Sequence, residues 1–178
     1  MLESFRDSCR FRQYMPSKPA KYGMKLFSLV DTMMFYTKKL EIYAGKQPEG
    51  PYFQDTSTNA LVKKMIEPIS STGRNVTMDN WFTSVPLAEQ LLTDHNLTVV
   101  GTMRKNKPEI PNEFKRKGLK VYSTVFGYKQ KETLLSYCPK KDKTVLLLST
   151  MHNDGVIYET SEKNFQKSLN FIIKRKEE

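Results

Sequence analysis

The sequence predicts a mixed α/β fold: an α/β core followed by a β-rich addition. Three observations predict it. From Tyr22 to Met103 the apolar pattern switches between period two and period 3.6, in the order strand, strand, helix, strand, helix, strand. Beyond Lys120 the helical period is lost, and three short apolar runs separated by polar turns take its place. The chain has 178 residues, 38% of them hydrophobic and 11% aromatic, enough for a hydrophobic core and unlike a disordered basic tail.

Each element has a local reason. Lys21 to Asp31 alternates loosely and is rich in Leu, Val and Phe, which reads as a strand ending in a turn at Asp31-Thr32. Phe35 to Ala44 reads as its antiparallel partner, with Tyr36, Leu40 and Ile42 on one face. Gly45 to Gly50, with Pro48 and Pro51, is a loop. Val62, Met65, Ile66 and Ile69 recur at helical spacing; Thr56, Ser57 or Thr58 supplies the N-cap, and Pro68 frays or kinks the end. Arg74 to Asp79 is the next strand, with Val76 and Met78 alternating with polar residues. After a turn at Asn80 to Ser84, Ser84 caps a helix with Pro86 in its first turn and an apolar face of Leu87, Ala88, Leu91 and Leu92. Leu97 to Met103 is a short buried strand. Val121–Phe126, Glu132–Tyr137 and Thr144–Ser149 are the three added strands, an extension of the core or an insertion into it.

The charge is uneven. Lys plus Arg is 29 and Asp plus Glu is 19, a net of +10. Residues 103–143 carry 12 basic and 4 acidic side chains, so +8 of the excess lies there, interleaved with Phe114, Tyr122, Phe126, Tyr128 and Tyr137. A cationic stretch with aromatics points to a polyanion, nucleic acid first and an acidic membrane surface second. Solvated loops between strands are the plainer reading. Other classes drop out: no window approaches the ~20 apolar residues of a membrane span, and no secretory signal is visible. Two cysteines and two histidines make no disulfide framework and show no zinc-ligand spacing. A reducing compartment is expected.

Asp79 is the acid that stands out, because it ends a strand with helices on both sides in sequence and is expected at the centre of the sheet. Sites in open α/β sheets gather at the carboxyl ends of strands, where a carboxylate can hold a divalent metal. An Asx turn explains the same residue without chemistry. Asp31 suits a hairpin turn, Asp55 a helix N-terminus, and Trp81 a place in the core. No phosphate-binding glycine loop, dinucleotide fingerprint or nucleophile elbow is present.

Four collinear stretches resemble piggyBac-type transposases. Arg74 to Ala88 contains the D-N-W-F-T-S segment as Asp79 to Ser84. Arg10 to Lys25 is similar to the family's R-x-Y-x-P-x-K-P-x-K-x-G-x-K run, Leu97 to Arg104 to the strand after the catalytic one, and Asn106 to Pro111 to the N-K-x-E-I-P segment. The resemblance implies an incomplete RNase H-like core with a β-rich insertion, divided as residues 1–110 (core), 111–160 (insertion) and 161–178 (divergent basic-acidic tail). It implies cut-and-paste DNA transposition by metal-dependent phosphoryl transfer on Mg2+ or Mn2+ in the intact family. Asp79 matches the second of three catalytic aspartates and is the catalytic and metal-binding candidate. The first is expected just ahead of Met1, and no match to the third appears. The chain is therefore expected to be an inactive transposase-derived fragment that binds no metal stably. Its expected partner is DNA, held electrostatically and without sequence preference through Arg104, Lys105, Lys107, Lys115, Arg116 and Lys117, with a homodimer as a further expectation and no membrane. The expected location is nuclear, or cytoplasmic if transport signals are missing. The alternatives are an active transposase seen in part and a domesticated nuclear interaction protein.

Overall fold

The computed structural model describes residues 1–45, 50, 51, 53, 55–116 and 118–152. The expected 161–178 tail lies outside them. The chain divides into two compact units, residues 1–69 and 70–178. Among the described residues no helix is long and apolar enough to cross a membrane.

The first unit is built on β3 (Tyr22–Val30), the strand read from Lys21 to Asp31. The N-terminal half of β3 pairs antiparallel with two short strands, β1 (Leu2–Ser4) and β2 (Gln13–Tyr14). Its C-terminal half pairs antiparallel with β4 (Thr37–Ile42), from Leu26↔Ile42 to Val30↔Thr37. The connecting turn forms because Asp31 Oδ1 accepts from the N–H groups of Met33 and Met34 at 2.8 and 3.0 Å. Helix α1 (Thr58–Ile66) starts at Ser57, whose Oγ accepts from Ala60 N–H at 3.3 Å. Asp55 accepts from Ser57 N–H and Oγ–H, and these bonds pull its carboxyl below the usual range. Val62, Met65 and Ile66 form the buried face of α1, and the chain tightens into a 3-10 turn over Glu67–Ile69, at Pro68.

The face read to carry Tyr36, Leu40 and Ile42 points outward: the three are exposed, at 64%, 54% and 47%. Helix α1 and the 3-10 turn after it are tied to the other face of β4 by two ion pairs, Lys64–Glu41 at 2.6 Å and Lys39–Glu67 at 2.9 Å. The charged residues of β4 therefore meet the helix, and the apolar ones meet solvent. Exposed apolar strands promote self-association. Leu40→Thr with Ile42→Thr is expected to keep the far-UV circular dichroism and lower aggregation measured by light scattering.

The second unit is a five-stranded sheet in the order β5-β6-β9-β8-β7, with strands β5 (Asn75–Met78), β6 (Thr98–Met103), β7 (Thr124–Lys129), β8 (Glu132–Lys140) and β9 (Lys143–Ser149). Helix α2 (Val85–His95) joins β5 to β6, and those two strands run parallel, as a strand–helix–strand crossover requires. The three added strands are all present, the first starting three residues later than read, at Thr124. They extend the same sheet: β9 pairs antiparallel with β6 from Val100↔Ser149 to Met103↔Leu146. The anticipated division at 110/111 falls inside this unit. Among the described residues β5 pairs with β6 alone and stands at the edge of this sheet, not at the centre expected for it. Flanking helices in sequence require a crossover, but they do not require a neighbour on both sides.

Leu87, Ala88 and Leu91 of α2 are fully buried, as are Leu97 and Val99. On the β8–β9 side, Val100, Leu135, Tyr137 and Leu147 form a second apolar cluster, against which Phe126 and Val145 pack. The α2 N-cap is Ser84 as read, yet its side chain makes no cap bond. Pro86 at N2 has no N–H to donate, so one of the two donors a cap serves is missing.

Candidate functional site

The site starts from the parallel register of β5 and β6. Met78 lies opposite Gly101, so both strands reach the same end of the sheet together. Asp79 follows β5 there and is exposed. Its Oδ1 accepts from Asn80 N–H at 2.6 Å. Its carbonyl accepts three bonds, from Phe82 N–H at 3.0 Å, Thr83 N–H at 3.2 Å and Thr83 Oγ1–H at 3.0 Å. The turn is thus held by its own backbone, with Thr83 fully buried beneath it. Trp81 is half-buried and meets Phe82 edge-on, ring centres 5.0 Å apart.

Gly101 makes this packing possible. A Cβ there would stand 2.8 Å from the Met78 carbonyl oxygen and closer still to Thr83 Oγ1. The Asp79 turn therefore rests on a strand position with no side chain. Sequence reading missed Gly101 and Thr83. The available signal was a glycine inside an otherwise apolar strand, which marks close approach of another backbone.

Arg104 is the first residue after β6 and stands at the same sheet end. Its Nε donates to Asn80 Oδ1 at 3.3 Å. The structure thus joins two features that lie apart in the sequence, the Asp79–Asn80 pair and the first cation of the basic stretch. Lys105 is exposed. Lys107 and Lys115 are half-buried and linked, since Lys115 Nζ donates to the Lys107 carbonyl at 3.0 Å. Arg116 is exposed, and Lys117 lies outside the described residues. The 3-10 turn Asn112–Lys115 is anchored by buried Phe114, whose carbonyl accepts from Ser136 Oγ at 3.1 Å. A Cβ at Gly127 would meet the Phe114 ring at 2.6 Å, so this glycine too leaves room for a neighbour.

The described residues do not assemble a complete metal centre. Among them no three His, Cys, Asp or Glu side chains gather, and Asp79 provides one carboxylate with one oxygen already hydrogen-bonded. Two-metal chemistry needs several such oxygens. The histidines serve other ends: His95 Nδ1 is 2.9 Å from Ser70 Oγ, and His152 Nδ1 is 2.8 Å from Ser149 Oγ.

A second acid behaves unusually. Glu132, at the start of β8, is 8% exposed, and its Oε1 has no hydrogen-bond partner among the described residues. Burial pushes its pKa up from 4.5, the charge of Glu89 adds to that, and Lys129 opposes it. Lys129 itself pairs with Glu89 at 2.9 Å. The folded state therefore holds the Glu132 proton more tightly than the unfolded chain does. Its contribution is complete below pH 4.5 and is lost as pH rises through the raised folded value. Glu132→Gln is expected to raise the unfolding midpoint at pH 7 and to flatten this part of the stability–pH profile, read by thermal denaturation.

Two comparisons bear on this geometry. A protein-family model described as Transposase IS4 matches residues 1–176. The chain is also similar to a solved structure titled as the piggyBac transposase synaptic complex with hairpin DNA, at 33% sequence identity and a TM-score of 0.81. That similarity covers 97% of this chain and 37% of the other, so the chain spans a little over a third of that transposase's length. The chain belongs to this transposase family, in its piggyBac-type branch.

Proposed function

We propose that the chain is an RNase H-like core segment derived from a piggyBac-type transposase, which binds DNA through its basic surface and does not cut DNA by itself. The observation that carries this reading is the shared strand end, where Asp79, Asn80 and Arg104 come together at the carboxyl side of β5 and β6. Transposases of this type generally depend on divalent metal and act on DNA in the nucleus. Asp79 is the residue we assign to the family's second catalytic carboxylate, as a single ligand to Mg2+ or Mn2+. Arg104, Lys105, Lys107, Lys115, Arg116 and Lys117 are assigned to phosphate contact, with DNA and a second copy of the chain as partners. Transposition as performed by an intact enzyme needs further carboxylates to clamp the attacking and leaving oxygens.

A salt titration tests it. Binding of the 178-residue chain to duplex DNA is expected to weaken linearly on a log–log plot as salt rises, because the cations displace condensed counterions. Absent or salt-independent binding would overturn the phosphate assignment. With Mg2+ or Mn2+ added, no strand cleavage is expected. Should cleavage occur, Asp79→Ala is expected to abolish it, and cleavage that survives would remove Asp79 from the site.

A further inference from the structure

The first unit carries a separate basic surface. Residues 5–22 hold Arg6, Arg10, Arg12, Lys18 and Lys21 against one acid, Asp7. That net of +4 equals the whole charge of residues 1–69, which is 11 basic minus 7 acidic. Among the described residues no carboxylate pairs with any of these five cations. Arg6, Arg12 and Lys21 line a cleft of about 420 Å³ together with Pro19, Ala20 and Tyr22.

Aromatic rings stand at its edge. Tyr14 and Tyr22 are cross-strand partners, with ring centres 4.8 Å apart and planes tilted by 37°. Both are exposed, at 58% and 47%, where an aromatic pair serving the core would be covered. The Arg12 guanidinium lies 5.3 Å from the Tyr22 ring centre. Its Nη1 is fixed by the carbonyls of Arg6 and Asp7 at 3.0 and 3.2 Å. The loop that raises the cleft wall is stiff as well: Pro16 and Pro19 lie within it, Met15 N–H donates to the Lys21 carbonyl at 2.7 Å, and Lys21 has a φ of 52°.

A preset cation, an exposed ring pair and a carboxylate-free cleft match what a single nucleic-acid strand requires. Phosphates take the cations, and a base needs a flat apolar face held in place. A duplex hides its base faces, so it gains only the charge. We infer that the Tyr14–Tyr22 surface is a binding site for an unpaired nucleotide of a single strand, with the base stacked on Tyr14, the more exposed ring, and its phosphates on Arg6, Arg12 and Lys21. The site belongs to the first unit and does not depend on the Arg104 surface.

The test uses the 178-residue chain with 12-nucleotide oligothymidine, 12-nucleotide oligouridine and a duplex of equal length. Tyr14→Ser is expected to weaken single-strand binding about 10-fold or more, as loss of a stacking ring does, and to change duplex affinity less than about 2-fold. Arg12→Gln is expected to weaken single-strand binding too. Comparison of the two oligomers tells DNA from RNA. An oligomer bearing 5-iodouracil is expected to photocross-link to the peptide containing Tyr14. Equal loss of single-strand and duplex binding, or cross-links confined to residues 104–116, would overturn the inference. A weak duplex signal with an intact, Tyr14-dependent single-strand signal would overturn only the basic-stretch reading above.

Discussion

Gly101→Ala is expected to destabilise the second unit by about 3 kcal/mol, the upper part of the range for overpacking a filled site. The added methyl meets two atoms at once. One is the buried Thr83 hydroxyl, and the other is the Met78 carbonyl oxygen, 2.8 Å away on a neighbouring strand. A flexible side-chain tip could turn aside, but a backbone oxygen in a parallel register moves only with its strand. Trp81, the one tryptophan in the chain, lies in the turn that must shift. Its fluorescence therefore reports the change directly. In urea the midpoint is expected to fall by about 1 M or more, given ordinary denaturant slopes. Adding Thr83→Ala should recover part of the loss, because it removes one of the two clashes while sacrificing the bond to the Asp79 carbonyl. An unchanged midpoint would show that β5 and β6 are not held in the register described.

The second large effect concerns charge. Arg104→Glu, Lys105→Glu and Lys107→Glu together are expected to lower duplex affinity about 10-fold or more at low salt, and to reduce the log–log salt slope by about 3. The fold should persist. Lys107 holds Lys115 through its backbone carbonyl, which substitution leaves in place, and Arg104 and Lys105 are exposed. Trp81 fluorescence checks that it does. Unchanged affinity would move the phosphate contacts away from the end of β6.

Much of the local structure could be read from residue order alone. The strand–strand–helix–strand–helix–strand series from Tyr22 to Met103 appears with ends shifted by a residue or two, because periodicity, caps and turn residues act over a few positions. Asp31, Ser57 and Pro68 did what such residues do at a turn, a cap and a helix end. The family resemblance was equally legible, and the family model and structural similarity agree with it.

What escaped that reading depends on pairing. Which face of β4 meets α1 was decided by Lys39–Glu67 and Lys64–Glu41, contacts between residues 23 to 28 positions apart, and this left Leu40 and Ile42 outward. The edge position of β5 and the joining of β9 to β6 are likewise choices of neighbour, which alternation along one strand does not specify. The same holds at the site. The sequence by itself determined that Asp79 ends a strand and that Arg104 begins a basic stretch. Only the tertiary structure decided that they share one sheet end, because parallel pairing of β5 with β6 aligns two carboxyl termini that the intervening helix keeps apart in the chain.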